Sequence, residues 1–316
     1  MPDLKAWKAD NYKFYGKAFD YAYANKMKQF MPIIGTAQDD HSTYELEGVG
    51  GYGEMLPYDG TSLNHADQKR GFKTVLRPQE YTNTAQIGFL QAKTDKLGEC
   101  RKVGTRLGQG AAMTVMLHIM RMFSNAFDPN CVGGDGKPWA ATDHPVASLG
   151  GKARKNIPDP ESGTFSNIIN KTLNVDGIDE AVTMAQHFVT PDGLPFLCNM
   201  DCVLVSPDLE ITAKKLFGEN ANLMPRLNPA DNTNAANPIY GMTYLVMGGG
   251  RDGFGKKQWA ICDREIMKEV VKLYYIQKPT IFSTDTDNPM IDLVTAYAAF
   301  ACGWGDARQI IFSNPS

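Results

Sequence analysis

The 316-residue chain has no long apolar run. Its longest apolar stretches, such as 296–302, fall far short of the roughly 18 residues that a membrane-spanning helix needs. The N-terminal thirty residues, MPDLKAWKADNYKFYGKAFDYAYANKMKQF, contain no continuous apolar segment of the secretory-signal kind. The expectation is a product that folds in the cytoplasm and does not enter a membrane. Charge of one sign is missing too. The chain has 32 Lys and Arg against 35 Asp and Glu, a net charge of −3. That balance argues against a nucleic-acid clamp, which carries a strong basic excess, and against an acidic solvating chain.

Patterned cysteine and histidine are also missing. Six cysteines lie at 100, 131, 198, 202, 262 and 302, with no C-x-x-C pair. Cys198 and Cys202 bracket CNMDC, but no second Cys/His pair follows at zinc-finger spacing, so ordinary buried thiols are expected. None of the five histidines (41, 65, 118, 144, 187) forms H-x-x-x-H or H-E-x-x-H, and there is no G-x-S-x-G elbow. No metal, cofactor or catalytic set is expected.

What is present is a core: 43% of residues are hydrophobic, enough for one elaborated domain or two compact ones. Residues 1–35 carry eight aromatics among lysines. Tyr12, Tyr15, Phe19 and Tyr23 fall at helical spacing, predicting a short amphipathic helix that packs on its own protein or a neighbour. Residues 44–91 are polar and Gly-rich with scattered apolar points (Val75, Tyr81, Ile87, Phe89), which predicts a long β-hairpin or extended loop in need of a partner surface. From Thr94 the pattern changes. Leu97, Val103, Leu107, Ala111, Val115, Ile119 and Phe123 predict one helix, capped by Thr94 or Asp95 and ended at Asp128-Pro129. Its glycines at 98, 104, 108 and 110 weaken the first half, where a bend or break is expected. Later come helices 177–189 and 207–217, a loop at 219–238, and strands at 200–205, 241–247, 257–262 and 270–276. GGGRDGFG is expected to join two of those strands as a turn. The tail reads as strand, turn at 303–306, strand. The fold class is α+β with the strands late.

Two motifs invite chemistry. Residues 48–53 and 248–253 formally match G-x-G-x-x-G, but neither sits between a buried strand and a helix, the context that puts a pyrophosphate on a helix N-terminus. The stretch DGKPWAATDHPVAS (135–148) sets Asp143 beside His144, with Ser148 four residues on. Adjacent side chains diverge in extended backbone, so Asp143 is poorly placed to orient His144 as a base. The alternative is a stiff loop with a turn at Asp135-Gly136 and prolines at 138 and 145, and it outweighs a hydrolase built on Asp143/His144.

The segment order resembles the major capsid proteins of tailed bacteriophages, which share the Hong Kong 97 fold, and among them is similar to the Mu-like major head subunits. The residues that carry this are EGVGGYGEMLPYDG, DKLGE opening a long helix that ends in NAF, DGKPWAATDHPVASLGG, and VLVSPDLEITAKKLF, over about 40–316. The resemblance implies an N-terminal arm (1–40), an extended loop (41–93), a peripheral domain (94–172) with spine helix 95–127, an axial domain (173–285), and C-terminal strands returning to the peripheral domain (286–316). It implies a non-enzymatic shell subunit that forms hexamers and pentamers of an icosahedral virion around double-stranded DNA, assembled in the bacterial host cytoplasm. A separate scaffold, a portal, possible decoration proteins and non-specific DNA contact follow. A nanocompartment shell of the same fold is the alternative. The candidate inter-subunit contacts are Tyr52, Glu54, Tyr58, Lys69, Arg70, Lys73, Arg77 and Glu80. Lys69 or Lys73 could serve as a cross-linking lysine, but no acceptor motif accompanies them.

Overall fold

The computed structural model describes residues 4–48, 55, 57–58, 60–61, 63, 71–95, 98–146, 163–190, 194–218, 239, 241–248, 252–284, 288 and 290–315. In chain order its elements are α1 (Leu4–Met27), β1 (Gly35–Gln38), β2 (Tyr44–Glu47), β3 (Lys73–Leu76), β4 (Gln79–Gly88), α2 (Phe89–Thr94), α3 (Val103–Ser124), β5 (His144–Pro145), β6 (Thr164–Phe165), β7 (Ile168–Ile169), α4 (Val175–Gln186), β8 (Cys202–Val205), α5 (Glu210–Phe217), β9 (Thr243–Val246), β10 (Trp259–Cys262), α6 (Arg264–Val270), β11 (Val271–Thr284), β12 (Ile291–Trp304) and β13 (Ile310–Ser313). The α+β class stands.

The chain folds as two interleaved units rather than as contiguous blocks. The first comprises Met1–Tyr44, Leu76–Ile119 and Lys272–Cys302. The second comprises Glu45–Val75, Met120–Val271 and Gly303–Ser316. Strand pairing explains the departure from the expected blocks. β11 and β12 belong with β1 and β4 in a four-stranded sheet, whereas β13 lies beside β10 in a five-stranded one. The tail expected to return as one piece therefore serves both sheets.

In the first unit the sheet order is β1-β11-β12-β4, with β4 antiparallel to β12 from Gly88↔Ile291 to Gln79↔Phe300. The segment expected to be a free hairpin throughout is thus anchored in a sheet at its C-terminal end. Tyr15, Phe19, Ile87, Leu107, Ile281, Val294 and Ala296 form the core. The N-terminal segment is a 24-residue helix with Tyr15 and Phe19 buried in that core, as the helical spacing of its aromatics predicts. The Tyr12 hydroxyl donates to the carbonyl of Ile281 at 2.7 Å.

The predicted 33-residue spine is shorter. α3 has 22 residues, about 33 Å of rise, flanked by single 3₁₀ turns at Cys100–Lys102 and Asn125–Phe127. Gly98, at φ +68°, breaks the expected N-terminal half. Asp95, expected as an N-cap, instead ends α2, and its carboxylate accepts from the backbone N–H of Cys100 at 2.7 Å. Gly104 and Gly108 have another use: they let α1 approach. A Cβ on Gly104 would stand 2.5 Å from the carbonyl oxygen of Tyr15, and one on Gly108 would strike the carbonyl of Phe19. Two glycines one helical turn apart hold two backbones closer than any side chain allows.

In the second unit the order is β7-β13-β10-β8-β9. β9 runs parallel to β8, and β8 separates it from β10. The two strands on either side of GGGRDGFG are therefore not paired with each other, as a tight turn between neighbours would require. One face of the sheet (Val203, Val205, Trp259, Ile261, Ile311) packs with Ile178, Ala181 and Ala185 of α4 and Ala213 and Phe217 of α5. Asn174 caps α4 through Gly177 N–H at 2.7 Å. Asp263 caps α6, a helix absent from the sequence reading, because its seven residues are too few to show a period. The loop expected at 219–238 lies outside the described residues.

Gly104→Ala and Gly108→Ala should each destabilise the protein by about 1–3 kcal/mol through overpacking. Gly110→Ala meets nothing nearer than Asn83 Nδ2 at 3.9 Å, so it should be neutral or stabilising by up to about 1 kcal/mol from helix propensity. Urea unfolding of the three variants checks this. Equal midpoints for all three would refute the close helix approach.

Candidate functional site

The loop 128–146 belongs to the second unit, and its geometry answers whether 135–148 is an active site. Val132 and Pro138 bridge, and the turn closes with Gly133 N–H on the carbonyl of Lys137 at 2.8 Å. Trp139 then plunges into the core at 0% exposure. It stacks on Trp304 with centroids 5.5 Å apart and meets Phe123 at 4.9 Å and Phe312 at 5.3 Å. One large apolar anchor drags its neighbours inward, and their polar groups then need partners.

Those partners are specific. His144 is 0% exposed, with Nδ1 2.6 Å from Asp135 Oδ2 and Nε2 3.3 Å from the Trp139 carbonyl. Asp135 also accepts from the N–H of Lys137 at 3.1 Å. Asn167 is buried and fully used. It accepts from Ala141 N–H at 3.0 Å and donates to the carbonyls of Trp139 (2.7 Å) and Ala307 (3.3 Å). Arg308 donates to Asp306 at 2.8 Å and to the Val146 carbonyl at 2.7 Å, and lies 5.0 Å over the Phe165 ring. Phe165 in turn stacks on His144 at 5.1 Å.

Asp143 and His144 diverge, as their adjacency in extended backbone predicts. Asp143 is exposed and bonds Lys137 instead; that hydrogen bond holds its carboxyl below the usual range. The acid that meets His144 is Asp135, nine residues earlier, which the sequence reading had assigned only to a turn. The D-G turn and the tryptophan four residues beyond Asp135 were the available signals. Ser148 lies outside the described residues. The adjoining cavity, lined by Asp135, Phe165, Trp304, Asp306 and Arg308, has about 20 Å³, room for one water. A second cavity, in the first unit beside Tyr81, Asn83, Thr114 and Phe300, has about 50 Å³ and no carboxylate, histidine or cysteine in its lining. Both are far below the roughly 300–1,000 Å³ of small-molecule sites. Among the described residues no cluster of three or more His, Cys, Asp or Glu side chains could hold a metal. No described helix is long and apolar enough to cross a membrane.

Of the eight candidate contact residues, Tyr52, Glu54, Lys69 and Arg70 lie outside the described residues. Tyr58 is 63% exposed, with Met55 at 95% and Leu63 at 75% close by in sequence. Lys73 pairs with Glu45 across β3 and β2. Glu80 hydrogen-bonds Tyr297, which with burial lifts the tyrosine's pKa. Arg77 is exposed. His118 is half-buried between the rings of Tyr81 (5.0 Å) and Phe300 (5.4 Å). Residues 49–53 and 249–251 of the two G-x-G-x-x-G matches lie outside the described residues.

No protein-family profile matches the chain, and no curated protein sequence does. Solved structures do match. The procapsid of bacteriophage JBD30 is 12% identical with a TM-score of 0.55, over 100% of this chain and 76% of that one. The capsid of cyanophage P-SCSP1u is 11% identical with a TM-score of 0.53, over 91% and 88%. The virus-like particle from Pyrococcus furiosus is 8% identical with a TM-score of 0.51, over 96% and 99%. Over nearly its whole length, this chain shares the fold of these capsid structures.

Proposed function

We propose that this chain is the major subunit of a tailed-phage head, self-assembling into hexamers and pentamers of an icosahedral shell around double-stranded DNA. The observation that carries this is the near-complete overlap with chains that build closed particles. The first unit takes the peripheral role, with α3 as its spine. The sheet β7-β13-β10-β8-β9 with α4 and α5 takes the axial role, where copies meet around a capsomer's centre. The segment between β2 and β3 reaches over a neighbouring copy. Tyr52, Glu54, Tyr58, Lys69, Arg70, Lys73, Arg77 and Glu80 contribute to that contact. Support comes from the exposed apolar residues Met55, Tyr58 and Leu63, which a lone subunit would leave in water. Assembly takes place in the host cytoplasm with a separate scaffold and a portal, and decoration proteins can add later. DNA contact is non-specific and salt-sensitive. The virus-like particle match keeps a nanocompartment shell as a second reading, distinguished by cargo.

Negative-stain electron microscopy of the protein, alone and co-expressed with its neighbouring genes, should show closed particles, tubes or capsomer rings. A compact monomer under both conditions would overturn the proposal. Tyr58→Ala should lower particle yield about tenfold or more, the effect of roughly 1.4 kcal/mol per contact, with an unchanged unfolding midpoint. His144 separates shell from hydrolase. Asp135→Ala and His144→Ala should each cost about 1–3 kcal/mol, because each strands a buried polar partner. Asp143→Asn should leave the midpoint and assembly unchanged. Ester or peptide hydrolysis lost in Asp143→Asn would restore the enzyme reading.

A further inference from the structure

Cys202 and Cys262 sit directly opposite each other on the antiparallel strands β8 and β10. Both are fully buried and both are free thiols. Residues paired in this way point to the same face, with Cα atoms about 4.5–5.5 Å apart. A disulfide spans about 4.4–6.8 Å between Cα atoms, a range that contains the separation of directly opposed residues on antiparallel strands. The Cys202 thiol acts directly on that of Cys262. The other cysteines have other surroundings. Cys198 points its Sγ to the Ala185 carbonyl at 3.6 Å, and Cys131 is exposed beside Asp128. Cys100 and Cys302 belong to the first unit.

We propose that Cys202 and Cys262 are a latent cross-strand disulfide, closed by oxidised glutathione or a comparable small disulfide. The step is thiol–disulfide exchange. One cysteine thiolate attacks a glutathione sulfur, forming a mixed disulfide and releasing one glutathione thiolate. The second attacks the protein sulfur of that mixed disulfide, forming the Cys202–Cys262 bond and releasing the other. The two protons and two electrons lost by the protein end on two glutathione thiols. The Cys202 thiol, together with burial, pushes the Cys262 thiol well up, so exchange is slow in the closed sheet and fast in a chain still folding. The bond would join residues 60 apart (262 − 202) and constrain the unfolded chain. A particle leaving a reducing cell for an oxidising medium would gain stability without any change of fold. The inference is independent of whether the chain builds a shell.

The test uses the full-length protein, folded from urea in a mixture of oxidised and reduced glutathione and, in parallel, in dithiothreitol. A third sample is native protein held with diamide. After quenching with an alkylating agent, peptide mass spectrometry reads the soluble fraction. The expected result is a Cys202–Cys262 linked peptide pair in the glutathione or diamide sample, absent in dithiothreitol. The linked protein should melt several degrees higher, a gain reversed by reduction. Both cysteines alkylated as free thiols in every sample would overturn the proposal, as would linkage to Cys198 instead. A linked protein with an unchanged melting temperature would refute the stabilising role.

Discussion

A sheet buried on both faces has to be covered twice, and the second unit is organised by that requirement. Along β8 and β10 every residue is buried. Alternate residues face α4 and α5, and the helical spacing of those elements supplies one cover. The other face carries residues such as Phe312, and its cover comes from Trp139, Phe127 and their neighbours. An aromatic cover delivered by a loop buries backbone and side-chain polar groups with it. Asp135, His144, Asn167 and Arg308 are the answer to that burial: they satisfy groups that Trp139 has carried out of water. Both ring nitrogens of His144 are spent on partners inside the protein, Asp135 and the Trp139 carbonyl.

The described side chains of this stretch bond and pack against one another within the second unit. In the sequence, His144 has Asp143 as its neighbour, and adjacency was the visible relation. Which acid meets which base depends on where the turn at 133–137 folds the chain back, and that is set by the bridge at Val132 and Pro138 and by the depth of Trp139. None of this has a period. The strong periodic signals were legible: Leu107, Val115, Ile119 and Phe123 of α3 are buried as their spacing requires, and the apolar strands β8 and β10 lie close to their expected positions. Helices too short to show a period, α2 and α6, were not legible. Nor was strand order, since β8 lies between β9 and β10 although it precedes both in sequence.

Glycine misled in an informative way. The glycines of 98–110 looked like one weakness in one helix, but they have three different environments. Gly98 takes a left-handed conformation that ends the approach to α3. Gly104 and Gly108 admit the backbone of α1. Gly110 has open space. A single sequence cannot tell these apart, because the absence of a side chain is recorded but the thing that fills its place is not.

Each unit completes its own core, and this bears on how the molecule could assemble. The residues that pay for folding are internal: α1 against α3 and the sheet in one unit, α4, α5 and Trp139 against the sheet in the other. Apolar side chains left in water include Met55, Tyr58 and Leu63 between β2 and β3, Tyr21 on α1, Leu90 on α2, Leu197 before β8 and Ile211 on α5. Removing any of these from the surface should change little of the fold. Contacts built from a few such side chains are individually modest, and a closed array of identical copies needs them to be modest. Each subunit repeats the contact many times, closure multiplies the sum, and a weak single contact lets misplaced copies leave before they are trapped.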